Sequence, residues 1–257
     1  GTFTPNVGVN DATNVIALKT SYTDLAGNAG TSAISDNYLI DLIAPTAVIT
    51  LSDLAIKIGD TSIVTVTFTE PVTGFDRSDL TVANGSVGEM SSSDNGVSWT
   101  GLFTPDSAVE DSSNLITLKT SYTDVVGNAG SSANSPNYTI DTLAPSNTIS
   151  VINLTPDTGL STSDFITKTS AQTISGSVSS NLASGEVVKI SLDGGVVWQT
   201  ASAASGQKNF TLGGVTLENT GSIIARVDDA AGNPGASSTR SYIVDATSPV
   251  IQSGVIS

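Results

Sequence analysis

The 257-residue chain contains no cysteine and no histidine. Without cysteine, neither disulfides nor thiolate metal sites are available. The commonest general base and the thiol nucleophile of enzymes are missing as well. No phosphate-cradling glycine loop replaces them. We therefore expect no enzymatic activity.

Basic residues are also scarce, with 9 Lys and Arg against 24 Asp and Glu and a net charge of −15. Nucleic-acid binding needs clustered cations to neutralise phosphates, so it is not expected. Anionic membrane surfaces are disfavoured for the same reason. No apolar run approaches the roughly 20 residues of a membrane span, which predicts no membrane insertion in this segment. A solvated surface or a cation-binding surface remains.

Aromatic residues make up only 5% of the chain, while hydrophobic residues as a whole make up 38%. This composition predicts small domains with thin, aliphatic cores. Small domains without disulfides commonly need another stabilising element, such as a metal ion.

The strongest positive feature is a repeat with a period of 100 residues. The segment from Phe3 to Pro45 returns from Phe103 to Pro145, with 27 of 43 aligned positions identical. Self-similarity at a fixed period is typical of tandem arrays. In arrays, function tends to lie in length, stiffness and the junctions between repeats.

Apolar and polar residues alternate with period two in many short segments, such as SIVTVTFTE (62–70). Turn residues separate these segments, which predicts an all-β protein. The complete repeat has about seven such strands, the number in an immunoglobulin-like β-sandwich. We therefore predict tandem immunoglobulin-like domains in an extended array. The expected divisions are 1–45 (the C-terminal half of a repeat), 46–145 (complete), 146–247 (divergent) and 248–257 (a following first strand or tail).

Several motifs recur once in each repeat. A hairpin with Asn-Gly or Gly-Gly precedes Trp99 and Trp198, both expected to fill the core, and these dipeptides favour a two-residue primed turn. A D-x-x-G-N loop comes late in each repeat, within Thr23–Asn28, Thr123–Asn128 and Asp228–Asn233. Each repeat ends in a strand with a terminal Asp and a short Pro-containing linker, as in Ile40-Asp41 through Pro45. Such a short link predicts that neighbouring repeats touch.

Together with the segment TEPVTGFDRSDLTV (69–82), these motifs resemble the bacterial Ig-like tandem repeats of large secreted adhesins and biofilm-associated surface proteins. The resemblance covers essentially the whole chain. It implies an extracellular rod at the bacterial cell surface that holds an adhesive tip away from the cell. It also implies that calcium often rigidifies the junctions. The third repeat lacks the TEPVTGFD segment and resembles a different subfamily.

The sandwich topology predicts where acidic residues meet. The last strand of one repeat delivers its terminal Asp to the entry-end loops of the next repeat. Carboxylates that gather in this way repel one another, and Ca²⁺ accepts six to eight such oxygen ligands in flexible geometry. The predicted Ca²⁺ ligands are Asp41, Glu70, Asp76, Asp124, Asn128, Asp141, Asp228, Asp229 and Asn233.

Another interpretation of the D-x-x-G-N loops needs no metal, because Asp and Asn often cap turns by bonding their own backbone. A second acidic set is expected to be solvated surface and comprises Asp60, Asp106, Glu110 and Asp111. Asp157 and Asp164 are comparable candidates in the third repeat.

The leading functional hypothesis is a non-enzymatic stalk segment. The alternatives are a module that binds a glycan or host protein, and a spacer of a secreted hydrolase. Residues 1–45 raise a separate question, because two strands alone are marginal in water. We expect them to gain cover from a neighbouring molecule, with the segment 248–257 as one candidate strand.

Overall fold

The computed structural model describes residues 1–250, and its regular secondary structure is almost wholly β-strand. Within that range, the only helical element is a single 3-10 turn at Arg77–Asp79, and no helix is long and apolar enough to cross a membrane. The chain divides into two compact units. The first comprises residues 1–56, 60–106 and 111–140, and the second comprises 57–59, 107–110 and the chain from 141. Most of the strand predicted at 248–257 lies outside the described residues.

The N-terminal segment forms two small antiparallel pairs. Its strands are β1 (Asn10–Asn14), β2 (Ala17–Leu18), β3 (Ala33–Ile34) and β4 (Tyr38–Asp41). Strand β1 pairs with β4, and β2 pairs with β3. A bridge between Thr23 and Ala29 closes the D-x-x-G-N loop.

The complete repeat contains thirteen short strands, more than the seven of the simplest sandwich because several strands are interrupted. They are β5 (Ala47–Leu51), β6 (Ala55–Lys57), β7 (Ser62–Phe68), β8 (Val72–Thr73), β9 (Leu80–Val82), β10 (Gly85–Val87), β11 (Ser91–Ser92), β12 (Ser98–Pro105), β13 (Glu110–Asn114), β14 (Ile116–Leu118), β15 (Thr123–Asp124), β16 (Ala133–Asn134) and β17 (Tyr138–Asp141).

One sheet of this repeat has the order β10-β12-β7-β5, with β11 also on β12. The other strands form the sets β13-β17-β6, β16-β14-β9 and β15-β8. In β7 the alternating sequence places Val64 and Val66 in the core, as period two requires.

The core of the complete repeat is less aliphatic than its composition suggests, because the few aromatic residues are concentrated in it. Phe103, Tyr122 and Tyr138 are all fully buried. The Tyr122 ring lies 4.9 Å from that of Phe68, and Phe68 makes an edge-to-face contact with Phe75 at 5.2 Å. The expectation of a thin aliphatic core was therefore wrong for this repeat.

The divergent third repeat forms two sheets, with the orders β18-β20-β24-β23 and β19-β26-β25-β21-β22. Its strands are β18 (Ile149–Thr155), β19 (Ile166–Thr167), β20 (Ala171–Val178), β21 (Val187–Ser191), β22 (Gln199–Thr200), β23 (Ser202–Ala203), β24 (Asn209–Thr216), β25 (Thr220–Asp228) and β26 (Ser238–Val244). Inward-facing residues of both sheets, such as Ile174, Ile190 and Ile223, form its core. The arrangement is the two-layer sandwich that the alternation predicts.

The hairpin dipeptides adopt the expected backbone. Asn95 and Gly96 have φ values of 61° and 89°, as a primed turn requires. Strand pairing stops at Ser92 and Trp99, however, so the connection is longer than two residues. The side chains of Ser92 and Asp94 accept the backbone N–H groups that this longer connection leaves unpaired.

Candidate metal sites

Three of the predicted ligands meet in the first unit. Each of Asp41, Glu70 and Asp124 offers a carboxylate oxygen, and these oxygens all lie within 4.8 Å of one another. Asp41 is the last residue of β4, Glu70 follows the end of β7, and Asp124 lies in β15. The linker aspartate thus meets two loops of the following repeat, as the topology predicted. Within residues 1–250, no other group of three or more acidic side chains meets this closely.

Asp124 is held rigidly within this group, which we call the acidic triad. Its Oδ1 accepts hydrogen bonds from the backbone N–H groups of Val126, Gly127 and Asn128 at 2.7–2.9 Å. Its Oδ2 accepts one from Asn128 Nδ2 at 2.7 Å. Burial alone would raise the pKa of Asp124, but these hydrogen bonds outweigh it and lower the pKa. Asp124 is therefore a fixed negative charge.

Glu70 is the carboxylate whose ionised form this arrangement disfavours. Burial raises its pKa, and the nearby charges of Asp41 and Asp124 raise it further. Both kinds of shift disfavour the ionised form. A cation between the three carboxylates would remove the repulsive contribution.

Asn128 connects the loop to the linker rather than serving as a ligand alone. Besides its bond to Asp124, its Nδ2 donates to the backbone oxygen of Asp41 at 3.0 Å and to that of Ile43 at 3.4 Å. The D-x-x-G-N loop therefore caps its own turn, as the metal-free interpretation required, and also binds the end of the preceding strand.

The second unit holds a related arrangement around Asp141. Asn233 is fully buried, and its Nδ2 donates to the backbone oxygen of Asp141 at 2.8 Å and to Asp141 Oδ1 at 3.1 Å. Asp229 Oδ2 accepts from the same nitrogen at 2.9 Å. Burial raises the pKa of Asp141, and the charges of Asp229 and Glu110 add to the rise. These three carboxylates line one recess together with Glu186.

Two predicted ligands have other roles. Asp76 caps the 3-10 turn and accepts the Ser78 N–H at 2.6 Å, so it lies outside the acidic triad. Asp228 ends β25 and forms an ion pair with Arg226, with 2.7 Å between Nε and Oδ1. Side chains two residues apart on a strand point to the same face, which brings this pair together. The structure does not bring Asp76 into the acidic triad, and Asp228 does not line the recess around Asp141.

The other acidic candidates mostly stabilise local structure. Asp111 accepts a hydrogen bond from Asn84 Nδ2 at 2.8 Å. Asp157 accepts the Phe165 N–H, and Asp164 accepts the Ile166 N–H. Glu110 is exposed, as expected, but it also lines the recess around Asp141. Sequence reasoning also missed Glu186, which no motif distinguishes.

The donor atoms determine which metal ions these sites can bind. All of them are oxygens, mainly from carboxylates, and neither imidazole nor thiolate is present in the sequence. Hard cations prefer such donors, and Ca²⁺ tolerates their irregular geometry better than Mg²⁺ does. The residues present therefore fit calcium.

The sequence and fold identify the family. A family model described as "Bacterial Ig-like domain" matches residues 1–40 and 41–140, and a second model with the same description matches 144–246. The chain belongs to the bacterial Ig-like domains and contains them in tandem. The predicted all-β, Ig-like fold and the stated resemblance to these repeats are confirmed.

Solved structures with related folds are distant. The fibronectin(III)-like modules of Clostridium thermocellum CbhA have 11% identity and a TM-score of 0.41, covering 80% of this chain and 99% of that one. The Yersinia pseudotuberculosis adhesin InvE has 13% identity and a TM-score of 0.30, with 77% and 58% covered. A putative membrane-anchored protein from Corynebacterium diphtheriae has 11% identity and a TM-score of 0.29, with 94% and 59% covered. A search of curated proteins finds no match.

Proposed function

We propose that this chain is a non-enzymatic stalk segment of a large bacterial surface adhesin, and that Ca²⁺ at the repeat junctions stiffens it. Membership in a family of tandem bacterial Ig-like domains supports an extracellular, repeat-type role. Ig-like domains of this kind are typically non-catalytic. The observation that carries the calcium proposal is the acidic triad, in which the linker aspartate of one repeat meets two loops of the next.

Electrostatic repulsion among the three carboxylates of the triad favours binding of a cation. Two unit charges 4.8 Å apart repel by about 3 kcal/mol at an effective dielectric constant near 20. Partial exposure of Asp41 and Glu70 reduces this figure, but Asp124 is only 1% exposed and stays charged. A divalent cation held by these three carboxylates would convert their repulsion into attraction.

Stiffening follows from where the ligands are attached. Asp41 is the last residue of β4, and the next strand, β5, starts at Ala47. Asn128 already binds the linker backbone at Asp41 and Ile43. An ion shared with Glu70 would add a second attachment at the same point, so bending there would require breaking metal–oxygen contacts. The recess around Asp141, Asp229 and Glu110 is the corresponding proposed site in the second unit.

The placement of aromatic side chains favours a stalk over a ligand-binding module. In the complete repeat, Tyr122 and Tyr138 are fully buried, and Trp99 packs edge-to-face on Phe75 at 5.3 Å. Trp198 is covered by the Arg226 guanidinium at 3.9 Å. The two tyrosines are buried and the two tryptophans are partly covered by neighbouring side chains, so these rings do not form an open platform for a sugar. Because both tryptophans are only partly buried, the expectation that they fill the core was not met.

Isothermal titration with CaCl₂ tests the metal site. We expect binding with a dissociation constant of about 10⁻⁴ to 10⁻³ M, the range of extracellular calcium modules. Asp41→Asn should abolish or weaken the binding step assigned to the triad. Asp36→Asn is the matched control, since Asp36 is exposed on the same repeat and is not one of the proposed ligands. Absence of calcium binding, or equal loss in both variants, would exclude the site.

Small-angle scattering tests the stalk. The maximum dimension should be larger and better defined in calcium than in chelator. Asp41→Asn should respond to calcium less than the wild type does, because only the proposed site around Asp141 remains. A compact particle that is insensitive to chelator would contradict the stiff rod. Micromolar binding on a glycan array would favour the ligand-binding alternative instead.

A further inference from the structure

One sheet in the complete repeat and one in the third repeat carry no charge. In the complete repeat it is the sheet β10-β12-β7-β5 with β11, and in the third repeat it is the sheet β18-β20-β24-β23. Among the described strands of these two sheets, not one residue is acidic or basic, although charged residues make up 13% of the chain. We call them the neutral sheets.

The strands outside the neutral sheets are charged by contrast. In the complete repeat, β13 contains Glu110 and Asp111. In the third repeat, β21, β25 and β26 contain Lys189, Arg226 and Arg240. The lack of charge is therefore a property of one layer of each sandwich and does not follow from the composition of the chain.

Small polar side chains form a row across each neutral sheet. In the complete repeat, strand pairing places four hydroxyl residues in one row, namely Ser91, Thr100, Thr65 and Thr50. In the third repeat, pairing places four residues in the corresponding row, namely Ser202, Thr211, Ser175 and Asn153. The central β12 and β24 threonines of these rows are both exposed. Two repeats of divergent sequence thus present the same outer surface.

An apolar pair lies beside the hydroxyl row of the complete repeat. Ile63 and Leu102 lie directly opposite each other and are 51% and 50% exposed. They share the outer face with Thr65 and Thr100, because side chains two residues apart on a strand point the same way. Exposed large apolar side chains surrounded by polar ones mark interaction surfaces in soluble proteins.

These side chains are suited to a second copy of the same face. A hydroxyl group both donates and accepts hydrogen bonds, whereas an ionised carboxylate only accepts them. In a two-fold symmetric contact the same patch meets itself, so each group must be able to pair with its own kind. A face of hydroxyl and apolar groups meets this condition, and an acidic face does not.

The charge of the chain favours the same contact. Two chains of net charge −15 repel each other wherever their acidic surfaces meet. The neutral sheets let two copies approach without placing like charges opposite one another. A neutral polysaccharide fits less well, because Phe68, Phe103 and Phe210 in these strands are buried and leave no ring on the outer face for a sugar.

We propose that the neutral sheets are a homotypic contact surface, through which two copies of this chain associate with like sheets face to face. Ile63 and Leu102 lose water near the centre of the contact, and the hydroxyl rows pair around them. This association is independent of calcium and adds a side-to-side interaction between copies to the proposed role of the chain as a stalk.

The contact made by one sheet is small. Four strands about 4.8 Å apart and about seven residues long, at about 3.3 Å per residue, cover roughly 450 Å². A pair of such faces buries about 900 Å² in all, below the roughly 1,200 Å² of stable complexes, so a single contact is weak. Two neutral sheets in one chain strengthen the association when both are engaged, because the second contact forms at a high effective concentration.

Sedimentation equilibrium of the full chain in chelator tests the contact. We expect the weight-average mass to rise with protein concentration, and to rise further in about 1 M NaCl, where a Debye length of about 3 Å screens the repulsion between copies. Thr100→Asp combined with Thr211→Asp should weaken association at least about tenfold, because each substitution places like charges in the contact. A monomer at every concentration, or unchanged association of this double variant, would overturn the proposal.

The matched control is Thr81→Asp combined with Thr239→Asp. Both residues are exposed threonines in strands outside the neutral sheets, and the change in net charge is the same. This control should associate as the wild type does. An equal loss in the two double variants would show that net charge alone governs association, which would contradict a specific contact.

A third double variant, Thr100→Lys with Thr211→Lys, separates contact between like faces from general repulsion. It lowers the net negative charge of the chain, so repulsion alone predicts stronger association, whereas a contact between like faces predicts weaker association. An equimolar mixture of the Asp and Lys double variants should associate at least as strongly as the wild type, because opposite charges then meet. A mixture that associates no better than either variant alone would refute the contact.

A neutral polysaccharide is the competing occupant of this face. Retention of a monomeric wild-type chain on insoluble cellulose, lost in Thr100→Asp with Thr211→Asp, would assign the face to a glycan and overturn the proposal. Chelator is present in all of these measurements, so their outcome is independent of the proposed metal sites.

Discussion

Replacing Glu70 by Gln should stabilise the protein in the absence of calcium and make it less stable than the wild type in the presence of calcium. Without calcium, the substitution removes one of three mutually repelling carboxylates, so the variant should be more stable than the wild type by about 1 kcal/mol after solvent screening. With calcium, the variant has lost a ligand and should gain less from the ion. The Tm of the variant should therefore be higher than that of the wild type in chelator and lower than that of the wild type in calcium.

The size of the calcium effect can be calculated. A dissociation constant of about 10⁻⁴ to 10⁻³ M at about 10 mM free Ca²⁺ gives roughly 1.4–2.7 kcal/mol of added stability. For a domain of about 100 residues, this corresponds to a rise in Tm of about 6–20 °C. Differential scanning calorimetry in calcium and in chelator measures the shift. We expect this shift in the wild type, and in Glu70→Gln we expect the part contributed by the triad to be largely absent.

Two controls guard this experiment. Glu89→Gln changes the charge equally in the same repeat, but the Glu89 side chain is 81% exposed and pairs with Arg77 at 3.3 Å. It should respond to calcium as the wild type does. Equimolar MgCl₂ controls for screening of the net charge by a divalent salt. If the wild-type Tm does not respond to calcium beyond its response to magnesium, the assignment of the triad as a calcium site is refuted.

The remaining predictions need no added metal. The pKa of Glu70 is raised, so between its ordinary value of 4.5 and that raised value the folded state holds more protons than the unfolded state. In chelator, stability should rise as the pH falls through this window. Urea midpoints should show a smaller gain in Glu70→Gln, in which the raised pKa of Asp141 remains. A Cβ at Gly130 would lie 2.1 Å from the buried ring of Tyr122, so Gly130→Ala should cost about 1–3 kcal/mol in urea unfolding. Gly30→Ala should cost much less, because the facing ring of Tyr22 is 45% exposed and can move towards solvent. Asn233→Ala should cost about 1–3 kcal/mol by the same assay, because it leaves several partly buried partners without a hydrogen bond. A loss below about 1 kcal/mol would contradict the role given to this side chain.

The acidic triad could be predicted because strand ends and loops have fixed places in a sandwich. Asp41 ends a strand, and Glu70 and Asp124 lie in loops at the entry end, so topology alone brings them together. The same reasoning does not hold for Asp76, because its carboxylate caps the 3-10 turn that follows it. It begins a capping box, and capping satisfies its carboxylate within three residues.

Asp228 shows a different limit of sequence reasoning. In the D-x-x-G-N loop, the residue equivalent to Asp124 is Asp229, and Asp228 occupies the place of Thr123. Two adjacent aspartates look alike as ligands, but only the register of β25 shows that Asp228 faces Arg226. Glu110 was expected to be solvated surface and is exposed, but its effect on Asp141 was not predicted. Its approach to Asp141 depends on packing between distant segments, which composition and spacing do not encode.

The aromatic residues show how composition can mislead. At 5% of the chain they suggest aliphatic cores, yet Phe68, Phe103 and Tyr122 all lie in the core of one repeat. Their placement follows from the strand alternation, which was visible in the sequence. A low average content therefore says little about a core when the few large side chains are concentrated there.

Because residues 3–45 and 103–145 are so similar, either segment of the polypeptide could pair with residues 46–102 to complete a repeat. During synthesis, residues 3–45 emerge before residues 46–102, and their native partner, residues 103–145, emerges after them. A swapped isomer, built from 3–45 and 46–102, is thus a kinetic competitor of the native repeat, and neighbouring modules of similar sequence are prone to such misassembly. Sequence drift between successive modules, as seen in the third repeat, weakens that competitor, so divergence along the array itself protects correct assembly.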